Sequence, residues 1–387
     1  MATAVESSLP VGTRFSWRSY QRKSSLVSGS PSRSASWLPK SEKSSRQPST
    51  RQVTGAAASS QRLPFHSEPA LDAALTLLYP GRRLHEHQEA AAYVEMARLV
   101  NLAPSCILVY LGAWVGGGRR LHALLSPKVA LLSAIAGSIA VASCVLNDFF
   151  DYSVDVINEP SKPLPRHAVP LEGALLLSFV LYSSVLIAAC ILEPPALRLI
   201  IAASAAATLL YTPVLKRLTA VKNLSVALVI ALTPLTGALS LGQGQKLLRS
   251  MAGLCLVLFC GILHREILMD LNDVDGDRDN GVHTVPVVFG KPAALAVAAC
   301  LAAASVAAAA YMLATAPPPA LLAAVSFTGQ RAIKVAAGIL LCMGSLPLLK
   351  NVAAIRRRSF DAAAVKHAIE DSMKSIGVCL LFAALYA

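Results

Sequence analysis

The sequence predicts an all-α, polytopic membrane protein with about nine transmembrane helices. Of its 387 residues, 55% are hydrophobic and only 15% are charged, which is too little charge to cover a soluble protein of this length. The apolar residues form long runs separated by short polar loops, and several runs reach the ~20 residues that a helix needs to cross a bilayer. The length of these runs argues against the alternative, a very hydrophobic soluble helical protein.

The first 64 residues differ in composition from the rest of the chain. They hold many Lys, Arg and Ser residues but only two acids, Glu6 and Glu42. Such a segment buries too little apolar surface to fold, and it matches an organelle transit peptide more than a secretory signal or an ordinary disordered tail. We therefore expect a plastid membrane protein, or alternatively one of the mitochondrial inner membrane. Residues 65–90 are expected to form a linker with amphipathic character, and residues 91–387 the membrane domain.

Nine apolar segments are candidate membrane spans. The last segment is short, so eight crossings are the alternative to nine. In chain order the segments are 99–117, 129–146, 171–192, 196–211, 223–242, 251–269, 292–314, 332–349 and 372–387.

The net charge of +13 is distributed in a way that fits this topology. Beyond the first 64 residues, the basic residues concentrate in the loops after the even-numbered segments, which puts these loops on one side of the membrane by the positive-inside bias. The basic residues form no continuous stripe, so we expect no nucleic-acid partner. The eight cysteines form no C-x-x-C pair and lie in or beside apolar runs, which predicts helix packing and not disulfides or metal binding.

Two acidic motifs share the pattern D-x-x-D-x-x-x-D. Spacings of three and four residues put all three carboxylates of each motif on one face of a helix. Both motifs follow even-numbered segments and therefore lie on the same side of the membrane. Their residues are Asp148, Asp151 and Asp155 after the second segment, and Asp270, Asp273 and Asp277 after the sixth.

The clustered carboxylates repel each other, and a divalent cation would relieve the repulsion. Oxygen ligands suit Mg²⁺, which completes its shell with water and phosphate oxygens, so two facing clusters predict a diphosphate site bridged by Mg²⁺. Nearby cations would neutralise the departing diphosphate, and the ring of Tyr211 would stabilise an allylic cation. Arg265 and Glu266 are interpreted as a structural pair inside the bundle. The predicted phosphate-binding cations are Lys162, Arg166, Lys216, Lys222 and Arg278.

These motifs closely resemble those of the UbiA superfamily of intramembrane prenyltransferases. Residues 147–160 read N-D-F-F-D-Y-S-V-D-V-I-N-E-P, and residues 270–290 contain D-L-N-D-V-D-G-D-R followed by a G-x-x-T-V-P-V-x-x-G run. Tyr211, Thr212 and Pro213, with Lys216 and Asn223, resemble the segment that the family has between its two motifs. The resemblance covers about residues 90–387. Asp275 departs from the pattern, because many members have Glu there, but the charge is preserved.

The resemblance implies nine transmembrane helices around a central cavity with the two motifs on facing helices. It implies Mg²⁺-dependent ionisation of a prenyl diphosphate, followed by attack of an acceptor on the allylic carbon. The first motif, with Asn147, and the second motif would then bind the diphosphate and Mg²⁺ from opposite sides.

The acceptor stays open at this point. The I-N-E-P run resembles chlorophyll synthases, homogentisate prenyltransferases share the broad pattern, and the Arg265-Glu266-Ile267 run resembles archaeal-type members that prenylate glycerol-phosphate lipids. We expect transfer from a donor such as geranylgeranyl or phytyl diphosphate to a lipophilic or aromatic acceptor in plastid isoprenoid, quinone or pigment biosynthesis. The alternatives are a membrane terpene cyclase, a prenyl-lipid or pigment binding protein without catalysis, and a transporter, although a transporter would need acids within its spans.

Overall fold

The computed structural model describes residues 89–241, 245–279, 281–316 and 325–387. The predicted transit peptide and all but the last two residues of the predicted linker lie outside this part of the chain, so both stay predictions. Within the described residues the chain is helical and contains no β-strand. The predicted all-α class is therefore confirmed.

Each of the nine predicted segments overlaps a long helix of its own in the described chain. A short helix over residues 89–96 precedes them, and one short helix, α7, lies between the sixth and seventh. The helices are α1 (Leu99–Gly116), α2 (Pro127–Asn158), α3 (Leu171–Cys190), α4 (Pro195–Tyr211), α5 (Val221–Leu239), α6 (Gln245–Asp279), α7 (Val285–Phe289), α8 (Lys291–Thr315), α9 (Phe327–Arg357) and α10 (Ala362–Leu385).

Six of these helices are long and apolar enough to cross a membrane: α2, α3, α5, α6, α8 and α9. Large apolar side chains on their outer faces, such as Phe179 and Met343, are mostly exposed, as expected where a helix faces lipid. The chain is thus a multi-pass membrane protein. Because α1 and α4 are shorter apolar helices and α10 carries more charge, nine crossings stay a prediction.

The bounds of α2 and α6 differ from the predicted spans in one consistent way. The apolar segments end at residues 146 and 269, but the helices continue to Asn158 and Asp279. Loss of hydropathy ends the membrane-spanning part of a helix without ending the helix, since carboxylates spaced three and four residues apart are compatible with helical geometry. Both acidic motifs are therefore fully helical.

Helices α1 and α5 approach each other closely because glycines lie at their contact. A Cβ atom added to Gly112 would lie 1.7 Å from the carbonyl oxygen of Pro234, and one added to Gly237 would lie 1.9 Å from that of Val109. Small residues allow such close backbone contact between membrane helices. Helix α5 also packs on α6, and α6 packs on α8 and α10, so α5 connects the first half of the bundle to the second.

The helix over residues 89–96 packs against the loop that follows α2. Ala92 and Met96 are buried with Leu164, Val169 and Val145 in one apolar cluster. This packing holds the residue just before α1, together with the loop after α2, against the polar end of α2. The bundle therefore brings several separate segments together at the end where both motifs lie.

Candidate active site

The first acidic motif occupies one face of the last three turns of α2. Asp148 is 3% exposed and Asp155 is 6% exposed, while Asp151 is half-buried. Burying an ionised carboxylate is costly unless it is paired. The structure therefore has to supply a cation for each of these aspartates.

Arg98 and Lys162 neutralise the two buried aspartates of the first motif. Arg98 donates from Nη2 to Asp148 Oδ1 at 2.5 Å, and Lys162 Nζ lies 3.0 Å from both carboxylate oxygens of Asp155 and 3.7 Å from Asp148. Burial alone would lower the pKa of Lys162, but its hydrogen bond to Asp155 and the charge of Asp148 outweigh burial and raise that pKa above its usual value. Lys162 is thus held in its charged form.

The second motif ends α6 and is anchored by Asp270. This side chain is buried, and Asn223 donates from Nδ2 to its Oδ2 atom at 2.8 Å. Lys222 Nζ lies 2.7 Å from the other oxygen, Oδ1. Both oxygens of Asp270 are therefore satisfied by two neighbouring residues at the start of α5.

The other two aspartates of the second motif have free acceptor capacity. Asp273 is exposed and accepts a hydrogen bond from the side chain of its neighbour Asn272 at 2.7 Å. Asp277 has a buried Oδ2 atom that completes no hydrogen bond among the described residues, although the Thr284 hydroxyl lies near this carboxylate and is itself without a full hydrogen bond there. A buried acceptor without a partner costs free energy, so Asp277 is poised for a ligand from outside the chain.

The stretch over residues 212–223, which comprises the connection between α4 and α5 and the first three residues of α5, joins the two motifs. At its start, Thr212 donates from Oγ1 to Asn147 Oδ1 at 3.0 Å. In its middle, Lys216 donates from Nζ to both carboxylate oxygens of Asp151, at 2.9 and 2.7 Å. Its end supplies the contacts to the second motif described above. One short stretch of backbone thus fixes the position of one motif relative to the other.

Tyr211 ends α4 directly before this connection and is half-buried. Its hydroxyl group lies close enough to Asp151 of the first motif, and to Asp270 and Glu266 on α6, to feel their charges. An aromatic ring therefore stands near carboxylates of both motifs, and its role beside an allylic cation stays a prediction.

Two of the predicted phosphate-binding cations, Arg166 and Arg278, are paired with acids other than the motif aspartates. Arg166 is bound to Glu95 on the helix over residues 89–96, with Nη2 2.7 Å from Oε2. Because of this hydrogen bond, the pKa of Glu95 is below its usual value. Arg278 is exposed, and its Nη1 atom lies 3.9 Å from Asp275. Neither guanidinium contacts a motif aspartate in the described chain.

Two residues near the motifs were not predicted as site residues. Arg98 was missed because it lies just before the first apolar segment, although its place on the basic side of the bundle was a usable signal. Glu266 was interpreted as the structural partner of Arg265. The two residues do form an ion pair, with 3.7 Å between Arg265 Nη1 and Glu266 Oε1, although this separation is too long for a hydrogen bond.

The donor set fits Mg²⁺ shared with a phosphate ligand. Within the described residues, no three carboxylate, His or Cys side chains lie close enough to hold a metal by themselves. Mg²⁺ that binds phosphates uses one or two carboxylates and takes its other ligands from phosphate and water. The free oxygen of Asp277 and the exposed carboxylate of Asp273 are hard donors of this kind.

Fold and site define a class of protein: a multi-pass helical membrane protein with two carboxylate motifs that are joined, at one end of its bundle, by contacts to residues 212–223. Comparison with known proteins agrees. Residues 105–366 match the UbiA prenyltransferase family. A digeranylgeranylglyceryl phosphate synthase from Natronomonas pharaonis is 36% identical over 208 residues, which cover 53% of this chain and 72% of that protein. The chain therefore belongs to the UbiA prenyltransferase family, and it is a prenyltransferase.

Solved structures show the same fold. One, described as a digeranylgeranylglyceryl phosphate synthase in membranes, superposes with a TM-score of 0.60 at 21% identity and covers 77% of this chain and 98% of its own. Another, a UbiA homologue from Archaeoglobus fulgidus bound to DMAPP and Mg²⁺, has a TM-score of 0.50 at 17% identity and covers 76% of this chain and 98% of its own. At these identities the likeness extends to the fold alone.

Proposed function

We propose that this protein transfers a prenyl chain from a polyprenyl diphosphate to a lipophilic acceptor, using Mg²⁺. The observation that carries the proposal is the stretch over residues 212–223, which contacts both acidic motifs through Thr212, Lys216, Lys222 and Asn223. A diphosphate held by two sets of carboxylates needs both sets at fixed positions, and this stretch supplies that rigidity.

The six motif aspartates are proposed to hold Mg²⁺ and the diphosphate, with Asn147 beside them. When bound, Mg²⁺ neutralises the negative charge that develops on the diphosphate as it departs. The binding of DMAPP and Mg²⁺ by a protein of the same fold supports this assignment. The proposed metal-binding residues are Asp148, Asp151, Asp155, Asp270, Asp273 and Asp277.

The lysines of the site are proposed to bind first the motif aspartates and then the diphosphate. Lys162, Lys216 and Lys222 are bound to motif aspartates. These lysines are proposed to keep the buried acids paired and to donate to phosphate oxygens when the diphosphate binds. Arg166 and Arg278 are paired with Glu95 and Asp275. They are proposed to contact the phosphate groups only while the diphosphate enters the site.

Tyr211 is proposed to stabilise the allylic carbon. An aromatic face attracts a cation, and the position of Tyr211 near both motifs suits a carbon that has just lost its diphosphate. Water must be kept away from that carbon, and the apolar helices around the site serve this purpose.

For the acceptor, we propose a hydroxyl group of a glycerol-phosphate lipid. The named activity of the 36% identical relative and the Arg265-Glu266-Ile267 run support this class over a quinone or pigment precursor. Location in a plastid, or alternatively a mitochondrion, rests on the composition of the first 64 residues, and it is tested by importing the full chain into isolated organelles.

The test is a membrane assay with labelled geranylgeranyl diphosphate and Mg²⁺. Geranylgeranylglyceryl phosphate, homogentisate and chlorophyllide are offered separately to the wild type and to Asp151→Ala, which lacks the partner of Lys216. We expect an adduct with the glycerol-phosphate acceptor and a loss of about 10²-fold in the variant. The control is Glu172→Gln, an exposed acid in the first turn of α3. An adduct with only one of the other acceptors would overturn the acceptor, and a cyclised hydrocarbon would overturn transfer itself.

A further inference from the structure

Glu266 is a carboxylate on the motif face of α6 that the two acidic motifs do not include. It precedes Asp270, Asp273 and Asp277 by four, seven and eleven residues, so all four side chains lie along one stripe of the helix. Glu266 lies about one helical turn, ~6 Å along the helix axis, further into the bilayer than Asp270. The diphosphate would bind among the aspartates, which places Glu266 on the side where the prenyl chain and the acceptor meet.

The contacts of Glu266 provide little stabilisation for a largely buried carboxylate. Its side chain is only 14% exposed. The nearest cation, Arg265, lies 3.7 Å away, and its Nη1 atom donates instead to the Sδ atom of Met269 at 2.9 Å. No other cation lies within 4.0 Å of Glu266 in the part of the chain described. An acid kept inside a membrane helix without a good partner indicates a function.

The residues near Glu266 belong to the proposed site. Its charge acts on the Tyr211 hydroxyl together with those of Asp151 and Asp270, and Lys222 is close enough for its charge to act on Glu266. The carboxylate therefore shares surroundings with residues that contact both motifs. The motif aspartates Asp151 and Asp270 are bound to lysines, whereas Glu266 accepts no hydrogen bond from a lysine of the described segments.

We propose that Glu266 is the general base that takes the proton from the acceptor hydroxyl. The inference rests on the proposed transfer to a hydroxyl acceptor. In the step, the acceptor oxygen forms a bond to C1 of the prenyl chain while the bond from C1 to the diphosphate oxygen breaks. The hydroxyl proton passes to the Glu266 carboxylate, and the diphosphate leaves with the electron pair of the broken bond.

The chemistry requires such a base more for an alcohol than for a free anion. An alcohol that attacks carbon becomes a strongly acidic oxonium unless its proton is removed, and a positioned carboxylate accelerates such steps by about 10²–10⁴-fold. Water, the usual proton acceptor, has to be excluded from a site that forms an allylic cation. A carboxylate inside the bundle meets both requirements.

The test compares Glu266→Gln with Arg265→Gln in the membrane assay with geranylgeranyl diphosphate, Mg²⁺ and geranylgeranylglyceryl phosphate. We expect Glu266→Gln to lower kcat for transfer by about 10²-fold or more with the KM for the diphosphate unchanged. Slow release of diphosphate without acceptor, which needs ionisation only, should stay within about threefold of the wild type. Arg265→Gln should lose less than about tenfold. Formate added to Glu266→Ala should restore part of the transfer.

The outcomes separate this inference from the proposed function. Transfer by the wild type tests the function, and the variants test the base. If Glu266→Gln transfers within about threefold of the wild type, Glu266 is not the base. Equal losses of transfer and diphosphate release, or equal losses in both variants, would show a structural pair with Arg265 and would also overturn the inference.

Discussion

The pair of Lys222 and Asp270 gives the most quantitative prediction. Lys222 Nζ lies 2.7 Å from Asp270 Oδ1, and the two side chains are only 15% and 6% exposed. Lys222→Met keeps the length of the side chain and removes its charge. Asp270 then stays buried as an anion with only the amide of Asn223 as a donor.

The cost follows from the burial of the pair. Removing one partner of a buried ion pair costs about 3–5 kcal/mol, and the remaining amide hydrogen bond puts this variant near the lower end. At roughly 2 °C for each kcal/mol in a chain of this size, about 3 kcal/mol corresponds to a fall in Tm of ~6 °C. Mg²⁺ with a prenyl diphosphate should recover part of the fall, since it supplies positive charge to the same carboxylates.

The assay is thermal unfolding of the purified protein in detergent, with and without Mg²⁺ and geranylgeranyl diphosphate. The matched control is Lys374→Met, which removes a 78% exposed lysine 3.2 Å from Asp371 and should change stability by less than about 0.5 kcal/mol. If both variants unfold at the same temperature, or if Lys222→Met unfolds with the wild type, the pair does not hold the second motif in place.

Three further predictions follow from single contacts. Asp277→Asn removes the charge of a half-buried side chain whose buried Oδ2 atom completes no hydrogen bond among the described residues, so Tm without Mg²⁺ should rise while prenyl transfer falls; a fall in both quantities would contradict this. Gly237→Ala should destabilise the protein by at least about 1–3 kcal/mol because its Cβ would meet the backbone of Val109 at 1.9 Å, whereas Gly377→Ala, with nothing within 4 Å, should not; equal Tm values would refute the close contact. The lowered pKa of Glu95 means that its pair with Arg166 stabilises the fold above about pH 4.5 and that this contribution is lost as the pH falls through the folded-state pKa. The small Tm difference between wild type and Glu95→Gln should therefore vanish in acid. A Tm difference that grows in acid would contradict a lowered pKa of Glu95.

The helices were predictable from sequence because membrane spans are long, apolar and separated by polar loops. The ends of the helices could not be predicted from hydropathy alone. Hydropathy falls at residues 146 and 269, but α2 and α6 continue to Asn158 and Asp279, because a helix persists wherever its backbone hydrogen bonds are kept. The close contact of α1 and α5 at Gly112 and Gly237 left no periodic signal strong enough to read.

The acidic motifs and their lysines were also predictable, because repeated carboxylates at helical spacing are rare by chance. Which lysine binds which aspartate was not, since Lys216 and Asp151 are 65 residues apart in sequence. Arg98 was missed because the packing of the helix over residues 89–96 brings it to Asp148, and such packing depends on tertiary contacts. The sequence showed an acid at Glu266, but it did not give the 3.7 Å separation from Arg265, because that distance depends on how the side chains pack.

The most direct test of the central claim is Mg²⁺-dependent release of diphosphate from labelled geranylgeranyl diphosphate, measured in the presence of the glycerol-phosphate acceptor. The wild type is compared with Asp151→Ala in the first motif, Asp273→Ala in the second, and Glu172→Gln, at an exposed acid of α3, as the control. If the two motifs act together, each motif variant should lose about 10²-fold or more while the control keeps its activity. Full activity in either folded motif variant would contradict a diphosphate held between the two motifs.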